Sequence, residues 1–135
     1  MGQRIAIDTP IIIYLLERHT EHFNSAFKLF QDIENGVYTC TFSTIGMIEL
    51  LTGPKRKNRA DLAVSYKEKL ASMQNFYIQN ITEKIIDITS DLRVKYNLHT
   101  PDSIHLATAI STNATMFITN DKALKKVKEI RVELL

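Results

Sequence analysis

Cysteine is almost missing from this chain. The single Cys40, in the stretch VYTCTF, leaves no internal disulfide and no CxxC metal or redox motif. No His or Lys neighbours it in sequence, and it reads as a buried strand residue. Long apolar runs are missing too. IIIYLL is six residues long, whereas a membrane span needs about 20. Arg4 and Asp8 break the apolar character that a signal peptide would show, so a cytoplasmic protein without membrane contact is the expectation. A strong net charge is also lacking. Seventeen Lys and Arg against fifteen Asp and Glu give +2, too slight to name a partner; a nucleic-acid binder of this composition must rely on a local patch. Repeats and low-complexity segments are absent. What remains is an ordinary globular composition, 44% apolar over 135 residues. That length suits about one domain, expected to span 1–135, which buries roughly two thirds of its unfolded surface without a disulfide or metal staple.

The order of elements follows from local signals. Ile5 to Ile7 is a short apolar strand ending at Asp8. Thr9-Pro10 is a cap followed by a proline whose missing N–H costs nothing, so a helix is expected over 10–18. In EHFNSAFKLFQDIENG, Phe23, Phe27, Phe30 and Ile33 share one helical face and Gly36 supplies the stop. VYTCTF (37–42) is a strand. Ser43 caps a helix over 44–51 that Gly53-Pro54 should end, leaving PKRKNR as a polar loop. A helix over 59–74 carries Leu62, Tyr66, Leu70 and Met73 on one face. FYIQNI (76–81) is a strand, and Thr82 caps a helix carrying Ile85, Ile88 and Leu92 to about Asn97. Thr100-Pro101 repeats the cap-plus-proline signal for a helix through Thr112. TMFIT (115–119), a turn at Asn120-Asp121, a short helix over 122–128 and IRVEL (130–134) complete the chain. Five alternations of strand and helix predict an α/β fold with a mostly parallel five-stranded sheet and helices on both faces.

Such sheets bind ligands outside the carboxyl ends of their strands, and that edge selects four acids. Asp8 ends the first strand, Asp121 follows the fourth, Asp102 opens a helix, and Glu49 lies in the helix after the second strand. Each has an ordinary reading alone. Asp102 suits the dipole of a helix start, Asp121 suits a turn, and Glu49 suits an exposed helix side. Asp8 is the hardest to explain so, because a strand buried on both faces seldom ends in a bare carboxylate. Together, carboxylates crowded at one edge raise each other's pKa unless a cation is present. Oxygen ligands without His or Cys suit Mg²⁺ or Mn²⁺ rather than zinc. A metal so held and left partly open to water is apparatus for phosphodiester hydrolysis.

At this point IAIDTPIIIYLLE, STIGMIELLTGP and YNLHTPDSIHLATAISTNATMFITNDKALKKV resemble the PIN domain, the fold of many metal-dependent ribonucleases including VapC-type toxins. The resemblance covers nearly the whole chain. It implies a PIN-like three-layer α/β/α sandwich and an Mg²⁺- or Mn²⁺-dependent endoribonuclease, the toxin of a type II toxin–antitoxin pair. It further implies Asp8 and Asp102 as inner ligands of the principal metal. Glu49 would bind a second metal or position its waters, Asp121 would ligate directly or through water, and Thr119 would support the site. Thr9 either supports the site or only caps its helix. Two positions depart from the family pattern: Pro10 replaces a polar or small residue, and Ser103 an alanine. The implied partners are RNA, a cognate antitoxin docking near Ser43 to Tyr66, and a second copy in a homodimer.

Lys55, Arg56, Lys57 and Arg59 in the PKRKNR loop, and Lys122 and Lys125 after Asp121, are candidate RNA contacts; a solvated surface is the plainer reading of both clusters. His105 reads as a core or rim histidine, and His19, His22 and His99 as loop residues. Other chemistries for Asp8 fare worse. An aspartyl-phosphate phosphatase wants a second acid two residues on, where Pro10 stands, and a receiver module wants adjacent acids. A free-standing RNA-processing nuclease and a non-catalytic binding module on the same scaffold stay open.

Overall fold

A computed structural model describes residues 2–135. The elements run β1 Gln3–Ile7, α1 Thr9–Leu16, α2 Phe23–Glu34, β2 Tyr38–Ser43, α3 Thr44–Arg56, α4 Ala60–Ser72, β3 Phe76–Gln79, α5 Glu83–Tyr96, α6 Thr100–Ser111, β4 Met116–Thr119 and β5 Arg131–Leu134, with a 3-10 turn at Lys122–Lys126. The strands form one sheet in the order β3-β2-β1-β4-β5. All four pairings are parallel, so the expected sheet is parallel throughout; in register, Ile5 lies beside both Cys40 and Met116.

Alternation along the strands builds the layers. Ile5, Ile7, Cys40, Phe42, Met116 and Ile118 face one side, where they pack with Ile11, Ile12, Leu29, Phe30, Leu50 and Tyr66 of α1 to α4. Ala6, Phe117 and Val132 face the other, against Ile85, Leu92, Leu106 and Ala107 of α5 and α6. This is a three-layer α/β/α sandwich. From β1 the chain steps outward to β2 and β3, then returns across β1 to β4. The strand order thus reverses at the β1–β4 boundary, where a parallel sheet opens a crevice beyond its strand ends. Among the described residues no helix is long and apolar enough to cross a membrane.

Several local expectations need correction. Helix α3 continues through Pro54 to Arg56. Gly53 has no Cβ to collide with the proline ring, the usual bar to helical backbone before proline, and Pro54 is buried. Lys55 and Arg56 therefore sit on the last helical turn, not in a loop. On α2 the buried stripe is Ala26, Leu29, Phe30 and Ile33, while Phe27 is exposed. Large side chains suggested a face one step round from the true one. The caps shift by one residue: Asp8 itself caps α1 by accepting from Thr9 N–H, and His99 occupies the cap of α6. Asp102 is consequently the third residue of its helix. The expected 122–128 helix is the shorter 3-10 turn, capped by Asp121.

Candidate active site

The fold brings Asp8, Glu49, Asp102 and Asp121 to the walls of one cleft of about 310 Å³, shared with Pro10, Tyr14 and Asn120. It lies at the strand-order reversal. Asp8 leaves β1 with its backbone N–H on Ile118 O of β4 at 3.0 Å. Its side chain is buried and doubly tied. Oδ1 accepts from Thr9 N–H at 3.0 Å and Oδ2 from the Thr119 hydroxyl at 2.8 Å. Thr119 in turn accepts from Asp121 N–H at 3.1 Å, linking the two acids through one hydroxyl. Asp121 Oδ1 also accepts from Ala123 N–H at 3.0 Å, so the residue lines the cleft and caps the next turn at once.

Glu49 is anchored from the opposite wall. Thr9 Oγ1 donates to Glu49 Oε1 at 2.7 Å, and His105 Nε2 lies 2.9 Å from each of those oxygens. Since an ionised carboxylate only accepts, Nε2 carries the hydrogen. His105 Nδ1 is buried with no hydrogen-bond partner among the described residues. The ring stacks on Phe42 with centroids 5.9 Å apart and planes 22° apart. Thr9 is thus more than a helix-start residue: its hydroxyl joins α1, α3 and α6.

Electrostatics divide the acids. Burial pushes the Asp8 carboxyl above its ordinary range, with the Glu49 charge adding to the rise, although His105, Thr119 and Thr9 N–H pull the other way. Asp102 is raised by burial and then by the charges of Asp8 and Asp121, and no hydrogen-bond donor among the described residues reaches its carboxylate. Glu49 is lowered, chiefly by the His105 hydrogen bond and further by Thr9, against its partial burial. Among the described residues no Lys or Arg lines the cleft. Lys55, Arg56, Lys57, Lys122 and Lys125 are exposed beyond it. Arg59 is held by Asp61 through Nε and Nη2, both at 3.0 Å.

As the side chains stand, no three His, Cys, Asp or Glu side chains among the described residues form a ready-made ligand cage. The donor set nevertheless fits one kind of ion. Mg²⁺ and Mn²⁺ take carboxylate oxygens, and Mg²⁺ typically uses one or two of them while keeping several waters. Asp102, unpartnered and pushed toward protonation by its neighbours, is the carboxylate with most to gain from a cation.

Four residues around the cleft were given no part in the site by the sequence. His105 reads there as a core or rim histidine, which its burial bears out, His22 as a loop residue, Asn120 as a turn residue and Tyr14 as part of the first helix. Tyr14 and Asn120 line it, His105 is buried against Glu49 and Thr9, and His22 meets Asn120 Nδ2 at 3.2 Å. The one signal for His105 was its place one helical turn after Asp102.

The PIN domain family model matches residues 5–130. Solved structures share the fold almost end to end. VapBC2 from Rickettsia felis bound to a DNA fragment from their promoter superposes with a TM-score of 0.77 at 20% identity, covering 98% of this chain and 99% of that one. A toxin–antitoxin complex from Klebsiella pneumoniae gives 0.72 at 26% identity, over 93% and 94%. VapC20 of Mycobacterium tuberculosis, described as a sarcin-ricin loop cleaving toxin, gives 0.72 at 15% identity, over 94% and 98%. No curated protein sequence matches. With the sheet order, the cleft at its reversal point and a family match over 5–130 in agreement, the chain belongs to the PIN domain family.

Proposed function

We propose that this protein is an Mg²⁺- or Mn²⁺-dependent endoribonuclease, and the toxin of a type II toxin–antitoxin pair acting in the cytoplasm. One observation carries the reading: four carboxylates from four separate places in the chain share a cleft that no Lys or Arg among the described residues lines. Mutual repulsion of that kind is tolerated where a divalent cation offsets it. The solved relatives add the biological context, since toxin–antitoxin complexes are among them and one is described as a sarcin-ricin loop cleaving toxin.

Asp8 and Asp102 would hold the principal cation, with Glu49 and Asp121 completing its surroundings or those of a second ion. Bound there, the cation supplies Lewis acidity to water and to the phosphodiester. The chain's own residues do the rest. Thr9 N–H and Thr119 Oγ1 keep the Asp8 carboxylate aimed outward from the strand end. Glu49, held by Thr9 and His105, is an acceptor positioned to orient an attacking water. Lys55, Arg56, Lys57, Lys122 and Lys125 supply cations beyond the acidic pocket for the RNA backbone, contacts that position a strand without reading its sequence. Arg59 serves that role only by releasing Asp61. A cognate antitoxin and a second copy of the chain complete the proposed assembly.

Asp8→Asn in the purified, partner-free protein should abolish cleavage of a total-RNA substrate with either metal, with the circular dichroism spectrum unchanged. A wild-type protein that cleaves no RNA with Mg²⁺ or Mn²⁺ would sink the nuclease reading.

A further inference from the structure

Beside the acids lies a group of rings that the hydrolytic chemistry does not use. The turn after α1 folds back so that His19 N–H donates to Tyr14 O at 3.0 Å. His19 and His22 then stack with centroids 5.0 Å apart and planes 16° apart. Both rings also lie against Tyr14, at 4.9 Å and 4.6 Å between centroids. The arrangement is held, not incidental. His19 Nδ1 accepts from the backbone N–H groups of Glu21 and His22, each at 3.3 Å. His22 Nε2 accepts from the Asn120 side-chain amide at 3.2 Å, and the same amide lies 3.5 Å from the Tyr14 hydroxyl.

Two features point to a ligand. Tyr14 and Asn120 are walls of the acidic cleft as well as members of this group, so the ring group borders the cleft through those two residues. Moreover, His19 is exposed and Tyr14 and His22 are only half-buried, leaving ring faces and edges open that a hydrophobic core would have covered. Unpaired bases stack on Tyr and His rings whatever their sequence, whereas bases in a duplex keep their faces covered by one another. Arg18, in the same turn and exposed, adds a cation for the strand's phosphates.

We propose that the Tyr14–His19–His22 ring group, joined to the acidic cleft by Asn120, seats an unpaired base next to the phosphodiester to be cut. The α1–α2 turn then determines how a strand enters the cleft. This rests on the ribonuclease reading above.

The test measures binding apart from cleavage. A fluorescein-labelled 12-nucleotide RNA strand and its duplex are titrated by anisotropy in EDTA against the wild-type protein, His19→Ala/His22→Ala and His19→Phe/His22→Phe. Loss of base stacking should weaken strand binding by the alanine variant roughly 5- to 150-fold. The phenylalanine variant, which keeps the stacking faces but not the ring-nitrogen hydrogen bonds, should recover most of the strand affinity that the alanine variant loses, and duplex binding should not separate the three. Matching thermal melts establish that each variant is folded. Equal strand binding by the wild-type and alanine proteins, an equal loss on the duplex, or no strand binding at all would overturn the proposal. Cleavage is scored separately with Mg²⁺ and Mn²⁺. Ring-dependent strand binding without cleavage would remove the nuclease reading and leave the base seat standing.

Discussion

Gly46 sits on α3 three residues ahead of Glu49, and its replacement by alanine tests how that wall of the cleft is braced. A Cβ there would run into the Phe42 ring, with Cε1 and Cε2 of the ring 2.5 and 2.8 Å away. Carbon atoms in contact want about 3.5–4.0 Å, so ring or helix must move by about 1 Å. Neither is free to do so. Phe42 is fully buried, and its ring lies 5.9 Å from those of both Phe76 and His105. Overpacking this deep costs about 3 kcal/mol, the upper end of the usual range. Alanine recovers about 1 kcal/mol over glycine in a helix interior, leaving a net loss of about 2 kcal/mol. With an unfolding entropy of about 2.1 cal/mol/K per residue over 135 residues, Tm should fall by about 7 °C in a calorimetric melt at pH 7. A smaller side chain at the point of collision relieves it. The Phe42→Leu/Gly46→Ala double variant should therefore be more stable than the sum of its single changes, by about 1 kcal/mol. A Gly46→Ala protein as stable as wild type, or strict additivity of the pair, would refute this account of why glycine is there.

The acidic cleft makes a prediction of opposite sign. Asp102 is raised from its ordinary 3.8, so its folded form favours the proton. Its contribution to stability is full below that value and is lost as pH rises through the raised one. At pH 7 the ionised group opposes folding, and metal-free Asp102→Asn should melt above wild type. A cation at 100 times its Kd stabilises wild type by about 2.7 kcal/mol, or about 10 °C on the same entropy scale. Differential scanning fluorimetry with Mn²⁺ should show less than a third of that shift in the variant; an equal shift would mean the ion sits elsewhere. His105→Leu removes the donor shared by Glu49 and Thr9 and should cost about 1–2 kcal/mol. It should also lower kcat for RNA cleavage more than it raises KM, with His105→Gln, which restores an N–H, recovering most of kcat. A KM effect alone would place His105 in substrate binding instead.

What the sequence could reveal tracks how local each signal is. Ile5 to Asp8 reads correctly because a buried strand and a cap-plus-proline start lie within a few residues. The four acids are legible together because parallel strands place their ends at one edge, a rule of topology rather than of side-chain contact. Pro54 misleads because a proline usually stops a helix, and only its burial beside a glycine shows why this one does not. Phe27 misleads because aromatic residues at helical spacing look like a core stripe, while the small Ala26 lies on the buried face. The contacts of His105, Asn120 and Tyr14 leave no local trace. Thr9 to His105 spans 96 residues, Asn120 to His22 spans 98, and Asn120 to Tyr14 spans 106.

The hydrogen-bond partners of the acids divide the cleft into a fixed half and an adjustable half. Asp8 has a donor on each oxygen and Glu49 has two donors on one, supplied by Thr9, Thr119 and His105 from α1, β4 and α6. Packed elements supply every one of those donors and hold the two carboxylates in this orientation. Asp102 has no such partner, and Asp121 commits one oxygen to the turn that follows it. In the proposed site a cation would meet two fixed acceptors and the other carboxylates would adjust to it, which would lower the ordering cost of binding without requiring a complete cage beforehand. The same logic explains why desolvated acids persist at this edge. Their destabilisation is confined to a few side chains, while the burial that causes it also strengthens every interaction with a cation. Thr119 is where the two halves meet, since its hydroxyl donates to Asp8 and accepts from Asp121 N–H. In the proposed site, a shift of Asp121 toward a cation would therefore reach Asp8 through a single oxygen atom.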